Sequence, residues 1–190
     1  MYLGRIQLHF NVSSVTLYVS IDTLEVGKNM KFSKRIIVNA PAEKVWEVLG
    51  SDFVNVGNWA TLVTHSEVNT EASVVNNSPV GGRLCNTSIG KISEEFTAYD
   101  DQDMSFSFKG VITSIMFTSV ISSNKVSAID ENTSEVLATP HIDLTFLGTL
   151  MSPLIKLQLS KAVIGGLDDL KYYVENGMPS PSKLAAIQKQ

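Results

Sequence analysis

The chain has 190 residues, 44% hydrophobic and 18% charged, with a net charge of −4. That length suits one domain with a sizeable core, and the acidic balance lacks the basic footprint of a nucleic-acid partner. No apolar run reaches the roughly 18 residues that span a bilayer. The lone cysteine, Cys85, excludes an intrachain disulfide and the cysteine-rich zinc patterns, and suits a cytoplasmic location.

Residues 1–29 are rich in Val, Leu, Ile, Ser and Thr. They are no signal peptide, because Arg5 is the only basic start and His9, Asn11, Ser13 and Ser14 break the apolar stretch. Glu25-Val26 is compatible with a ribosome-binding-like codon sequence ahead of Met30. The segment is expected to be an N-terminal extension or a translated leader. The alternative is an added edge hairpin, since residues 14–21 alternate as a strand does.

From residue 35 a short β-branched strand runs into Ala40-Pro41, and proline suits the first turn of a helix. Ala42, Val45, Trp46 and Leu49 then recur at i, i+3, i+4 and i+7, one apolar helical face. Gly50-Ser51-Asp52 stops that helix, and a shorter helical stretch follows to about Trp59.

The middle of the chain reads as strands. Residues 62–68 make the first, carrying His65, and 70–79 make a loop with Asn76-Asn77-Ser78-Pro79 as turn chemistry. Residues 82–88 and 91–99 form a hairpin around Ile89-Gly90. A two-residue turn there pairs Cys85 with Glu94, Thr87 with Ile92 and Arg83 with Phe96, and puts all six on the inner face. Ile89 resists the positive φ such a turn requires. After a turn at 100–103, Met104, Phe106 and Phe108 alternate as an apolar face, which needs a one-residue bulge near Ala98-Tyr99 to meet the inner side. Residues 111–118 fit either a loop over a cavity mouth or more strand. Residues 119–129 and 134–147 are the last strands, with Ile142, Leu144 and Phe146 inward and His141 and Asp143 outward.

A long helix starts at Ser152-Pro153 and runs to about Asn176, where Gly177 and Pro179 stop it. Its roughly 24 residues span about 36 Å. Ile155, Leu159, Ala162, Val163, Leu170, Tyr173 and Val174 make its apolar face. Gly165-Gly166 costs about 1 kcal/mol per glycine relative to alanine, for close packing or for ligand space. Residues 178–190 are expected to be a mobile polar tail.

A strand, two small helices, a run of strands and a long C-terminal helix make the layout of a helix-grip fold. The residues Ala40-Pro41-Ala42-Glu43-Lys44-Val45-Trp46 resemble the opening of the polyketide cyclase/dehydrase and START-like superfamily. The terminal helix resembles it too, through Met151-Ser152-Pro153-Leu154 and Gly166-Leu167 to Leu170-Lys171. The resemblance covers about residues 30–176 and implies a domain over 30–177. It further implies an α+β fold in which a curved antiparallel β-sheet wraps around the long C-terminal α-helix, enclosing a cavity for a small hydrophobic lipid-, polyketide- or aromatic-like ligand.

The family's strands often carry an arginine after glycine and a glutamate on the next strand, and Gly82-Arg83 and Glu94 hold those places. Two readings of the pair stay open: a structural ion pair, or a cofactor-independent cyclase, dehydratase or isomerase. In the second, Glu94 is the general base, its pKa raised by burial against the opposing pull of Arg83, and Arg83 orients a ligand carbonyl or carboxylate. Trp59, Cys85, Phe96, Tyr99, Phe106, Phe108, Leu159 and Val163 are the expected ligand-binding residues. No His-x-x-x-His pair, Gly-x-Gly-x-x-Gly or phosphate loop is present, so neither a metal nor a cofactor is expected. A third reading is a partner-binding module with a filled interior and an exposed apolar patch.

Overall fold

Strand and helix signals converge on one antiparallel sheet folded about a long helix. The structure is a computed structural model that describes residues 11–12, 15–16, 29–87, 90–112 and 115–189. A two-stranded ladder, β1 (Asn11–Val12) with β2 (Val15–Thr16), is separate from the main sheet. The leader and edge-hairpin expectations for residues 1–29 otherwise lie outside the described residues.

The main sheet has eight strands: β3 (Asn29–Lys31), β4 (Lys34–Val38), β5 (Val63–Val68), β6 (Gly82–Thr87), β7 (Gly90–Asp100), β8 (Ser105–Ile112), β9 (Phe117–Asp130) and β10 (Thr133–Leu144). Their order is β3-β10-β9-β8-β7-β6-β5, and β4 also pairs with β10. Between β4 and β5, α1 (Ala42–Trp46) continues into a wide π turn (Glu47–Ser51) and a 3-10 stretch (Phe53–Asn58). These are the two small helices of the sequence reading.

The β6–β7 hairpin departs from the expected register by two residues. Arg83 faces Glu94, Cys85 faces Ile92 and Thr87 faces Gly90, in place of Arg83–Phe96, Cys85–Glu94 and Thr87–Ile92. Gly90 closes the hairpin at φ 129, a conformation that glycine adopts without steric cost and isoleucine resists. A slip of two residues leaves every side chain on its face, so the inner face is composed as expected. The bulge falls between Phe96 and Ala98, one residue earlier than expected. With Thr97 as the extra residue, Phe96 faces Phe108 and Tyr99 faces Phe106, which brings the aromatic stripes of β7 and β8 to one side.

Residues 111–112 and 117–118 extend β8 and β9, so both ends of the ambiguous stretch are strand. Strand β10 buries alternate residues, Val136, Ala138, Ile142 and Leu144 among them, and leaves His141 and Asp143 half-exposed. It ends at Leu144, which corrects the inward placement of Phe146. Phe146 opens α2 (Phe146–Leu150) and is 84% exposed. The turn forms because Thr145 Oγ1 accepts a hydrogen bond from the Gly148 N–H at 3.0 Å, an N-cap contact.

The long helix α3 (Ser152–Asn176) has the predicted bounds and ends on Gly177 at φ 68, a left-handed helix stop. Leu167, Leu170 and Val174 join the main core with Trp46, Phe53, Phe96 and Phe106. Ile155 joins a second cluster with Met30, Ile142 and Leu144.

The tail expected to be mobile is folded instead. Residues Pro181–Ile187 form α4, capped by Ser180. Buried Asp169 of α3 accepts hydrogen bonds from Ser180 Oγ at 2.5 Å, Ser182 Oγ at 3.2 Å and the Thr61 N–H at 2.7 Å. Lys183, 1% exposed, donates from Nζ to the Val63 carbonyl at 2.6 Å. Polar contacts with buried groups, not apolar area, hold the segment, which is why its composition reads as a free tail.

Candidate ligand cavity

Two cross-strand rows make the floor of an interior space. One runs Phe96, Phe108, Ser122, Pro140, and the other Tyr99, Phe106, Asn124, Ala138; of these Phe106, Phe108, Ser122, Asn124 and Ala138 border the space. Above the outer members of these rows lies α3, presenting Val163, Gly166, Leu167 and Leu170. Leu49, Phe53 and Trp59 from the helical turns close one side, and Arg83 closes an end. The space has a volume of about 160 Å³ and is partly open to solvent. A Cβ built on Gly165 or on Gly166 would meet nothing within 4 Å. The glycine pair therefore serves no close helix–sheet contact, and Gly166 leaves open space at the cavity roof.

The aromatic wall is continuous. The Phe53 ring lies 4.2 Å from Phe96, 5.5 Å from Phe106 and 5.8 Å from Phe108, centroid to centroid. Such tilted and edge contacts add to the area these rings bury.

Arg83 and Glu94 form a close, largely buried pair, with Nε donating to Oε2 at 2.5 Å. Nη1 of Arg83 donates to the Phe53 carbonyl at 2.5 Å, and the guanidinium lies 3.8 Å from the Phe53 ring centroid. The cation is thus balanced by a carboxylate, a carbonyl and an aromatic face. Arg83 borders the cavity, whereas Glu94 is not among the residues that line it.

The other expected ligand residues divide. Trp59, Phe106, Phe108 and Val163 line the cavity. Phe96 and Cys85 are buried in the core without bordering it. Burial pushes the Cys85 thiol up to about 11, with Arg83 opposing and Glu94 adding to the shift, so it is no thiolate nucleophile at neutral pH. Tyr99 points to the β7–β8 turn, where its hydroxyl donates to Asp101 Oδ1 at 3.3 Å beside the Trp46 indole N–H at 2.7 Å. Burial first, and then Asp101, raises the Tyr99 pKa. Leu159 packs against the second core cluster.

Sequence reading missed Ser122 and Asn124, whose side chains are joined at 3.3 Å. The signal was the alternation Val120, Ser122, Asn124, Val126 along β9, in which two polar residues occupy the inward positions.

Wider, more open clefts lie elsewhere. One of about 450 Å³ is bordered by Ala98, Ser105, Ser107, Ser123 and Thr139, which alternate with the inner residues, and also by Tyr99, Phe106 and Asn124. Another of about 680 Å³ lies at the β7–β8 turn, beside Ser51, Asn76 and Gln102. Both are larger than the aromatic recess, and only the second has a mainly polar lining. His65 and His141 lie outside it, near Glu67 at 3.7 Å and Asp143 at 3.8 Å. Among the described residues, no cluster of His, Cys, Asp and Glu is placed to hold a metal, and no helix is long and apolar enough to cross a membrane.

An antiparallel sheet around a long C-terminal helix, with two short helical elements after the first strands, defines a helix-grip, START-like protein. The chain belongs to the polyketide cyclase / dehydrase and lipid transport family, whose sequence model matches residues 29–175. Among solved structures it is similar to a START superfamily protein from Mycobacterium smegmatis, at 14% identity and TM-score 0.62, covering 76% of this chain and 97% of that one. The Zhui aromatase/cyclase of Streptomyces sp. R1128 is similar at 12% identity and TM-score 0.65, covering 77% and 94%. The protein XoxI from Bacillus cereus is similar at 16% identity and TM-score 0.63, covering 77% and 96%. At these identities the likeness establishes the fold alone. No curated protein sequence matches the chain.

Proposed function

We propose that the protein binds a small hydrophobic ligand in the cavity between α3 and the inner face of the sheet. The observation that carries this reading is the unfilled space of about 160 Å³ under Gly166, in an aromatic wall broken by the polar side chains of Ser122 and Asn124. A core built for stability alone fills such space, since voids forfeit dispersion contacts. Family membership supports the same reading, because both branches of the family description, cyclisation and lipid transport, name a hydrophobic guest.

The alternative is a cofactor-independent cyclase or dehydratase using Glu94 and Arg83. Arg83 at the cavity wall favours it, as a donor to a ligand carbonyl. Against it stands the pairing of Glu94 with Arg83, which gives Glu94 a structural partner away from the cavity lining. Native mass spectrometry of the full chain before and after organic extraction tests the binding reading. A co-purified apolar compound supports it. An empty protein that ignores a panel of hydrophobic probes refutes it. Glu94→Gln separates the two readings: turnover lost with binding kept makes the protein an enzyme.

A further inference from the structure

Resting on that binding reading, we propose that the ligand is compact and uncharged: a single-ring compound carrying one hydroxyl or carbonyl group, not a fatty acid, a diacyl lipid or a multi-ring polyketide.

Size is the first argument. An apolar cavity of about 150 Å³ takes benzene, and sites for drug-sized ligands run from about 300 to 1,000 Å³. The recess here, about 160 Å³ and partly open to solvent, has room to shield a single ring.

Charge is the second. Among the described residues Arg83 is the only ionisable side chain on the lining, and Glu94 already balances it at 2.5 Å. A ligand carboxylate must either displace Glu94 or enter beside a pair that is already neutral. Both routes leave a buried anion without compensation, and an unpaired buried charge is strongly unfavourable.

Hydrogen bonding is the third. Asn124 Nδ2 donates to Ser122 Oγ at 3.3 Å. That long contact leaves the Asn124 amide oxygen and the Ser122 hydroxyl hydrogen able to serve a guest. Both side chains border the cavity among Phe106, Phe108 and Ala138. Both side chains are half-buried, and a guest that covers them takes them out of water, so one with a polar group to replace that hydration fits better than a bare hydrocarbon. The roof glycine sets the depth: a side chain at Gly166 would meet nothing within 4 Å and would occupy the space itself.

The test is calorimetric titration of the full chain with p-cresol, toluene, benzoate, anthraquinone and palmitate, repeated on Asn124→Leu, Ser122→Ala and Gly166→Leu. Leucine is a better helix former than glycine, so Gly166→Leu is expected to fold and to fill the cavity. The expected result is p-cresol binding about tenfold more tightly than toluene, with benzoate, anthraquinone and palmitate weaker than either. Asn124→Leu removes the p-cresol advantage and leaves toluene binding unchanged. Ser122→Ala reports the same loss, in part, should the leucine variant fail to fold. Gly166→Leu abolishes binding of both neutral rings. Equal affinities for p-cresol and toluene overturn the polar assignment. Palmitate or anthraquinone binding that Gly166→Leu abolishes, with p-cresol inert, overturns the ligand class and keeps the cavity. No binding by any probe, or binding indifferent to Gly166→Leu, overturns the cavity reading as well.

Discussion

Replacing Glu94 with leucine tests whether the Arg83–Glu94 pair is structural. The guanidinium would keep the Phe53 carbonyl and the Phe53 ring, at 2.5 and 3.8 Å, and lose its counter-charge. The arginine side chain is only 10% exposed, so water compensates little. Breaking a buried pair from one side costs about 3–5 kcal/mol, and the retained cation–π contact places this site toward the lower end. At about 2–4 °C per kcal/mol for a domain of this size, the melting temperature falls by about 10 °C. The double variant Arg83→Met/Glu94→Leu removes both charges and recovers most of the loss, because an apolar replacement of a buried pair is often near neutral. Denaturant unfolding of the four proteins of this cycle gives the coupling energy. A loss below about 1 kcal/mol for Glu94→Leu, or a double variant no better than the single one, refutes the structural assignment.

Further expectations concern the folded tail and the buried thiol. Truncation after Gly177 strips buried Asp169 of Ser180 and Ser182 and removes Lys183, and is expected to cost about 2–4 kcal/mol in denaturant unfolding. A truncated chain of unchanged stability refutes the docking of α4. Burial holds the Lys183 pKa below its ordinary value, with Asp169 opposing. Between the folded pKa and the ordinary lysine value the unfolded chain binds more protons, so stability rises with pH across that alkaline window. Lys183→Met should flatten that rise, and an unaltered pH profile of unfolding contradicts it. Cys85, with its thiol pushed up to about 11, should resist iodoacetamide at pH 8 in the folded protein and react on unfolding. Fast labelling of the native state refutes its burial.

The strongly periodic elements were legible from composition and spacing. The helix over 152–176 carries apolar residues at helical intervals and a glycine stop, and the structure reproduces its bounds. Register was less legible because it depends on single residues. Gly90 moved the β6–β7 pairing by two and Thr97 supplied the bulge, yet the face composition survived because the slip was even-numbered. Lys183 and Asp169 escaped notice for another reason. A lysine in a short polar segment reads as solvated, and only the approach of Val63 O and Ser180 from other elements makes its burial tolerable. The cavity floor escaped in the same way: Ser122 and Asn124 become inward-facing only once β9 is paired on both sides.

Gly166 joins stability and function in this fold. A glycine inside a helix costs about 1 kcal/mol against alanine, and such a cost is normally offset by a close contact or an unusual backbone angle. Neither applies: a Cβ there would meet nothing within 4 Å, and the residue is helical. What glycine preserves at this position is volume, above a floor that holds two half-buried polar groups joined at 3.3 Å. A ligand that fills the space and satisfies those groups would offset both costs, and its free energy of binding would add directly to folding stability. The empty protein should therefore be stabilised by its ligand and, independently, by Gly166→Leu, whereas the two together should be no better than the substitution alone.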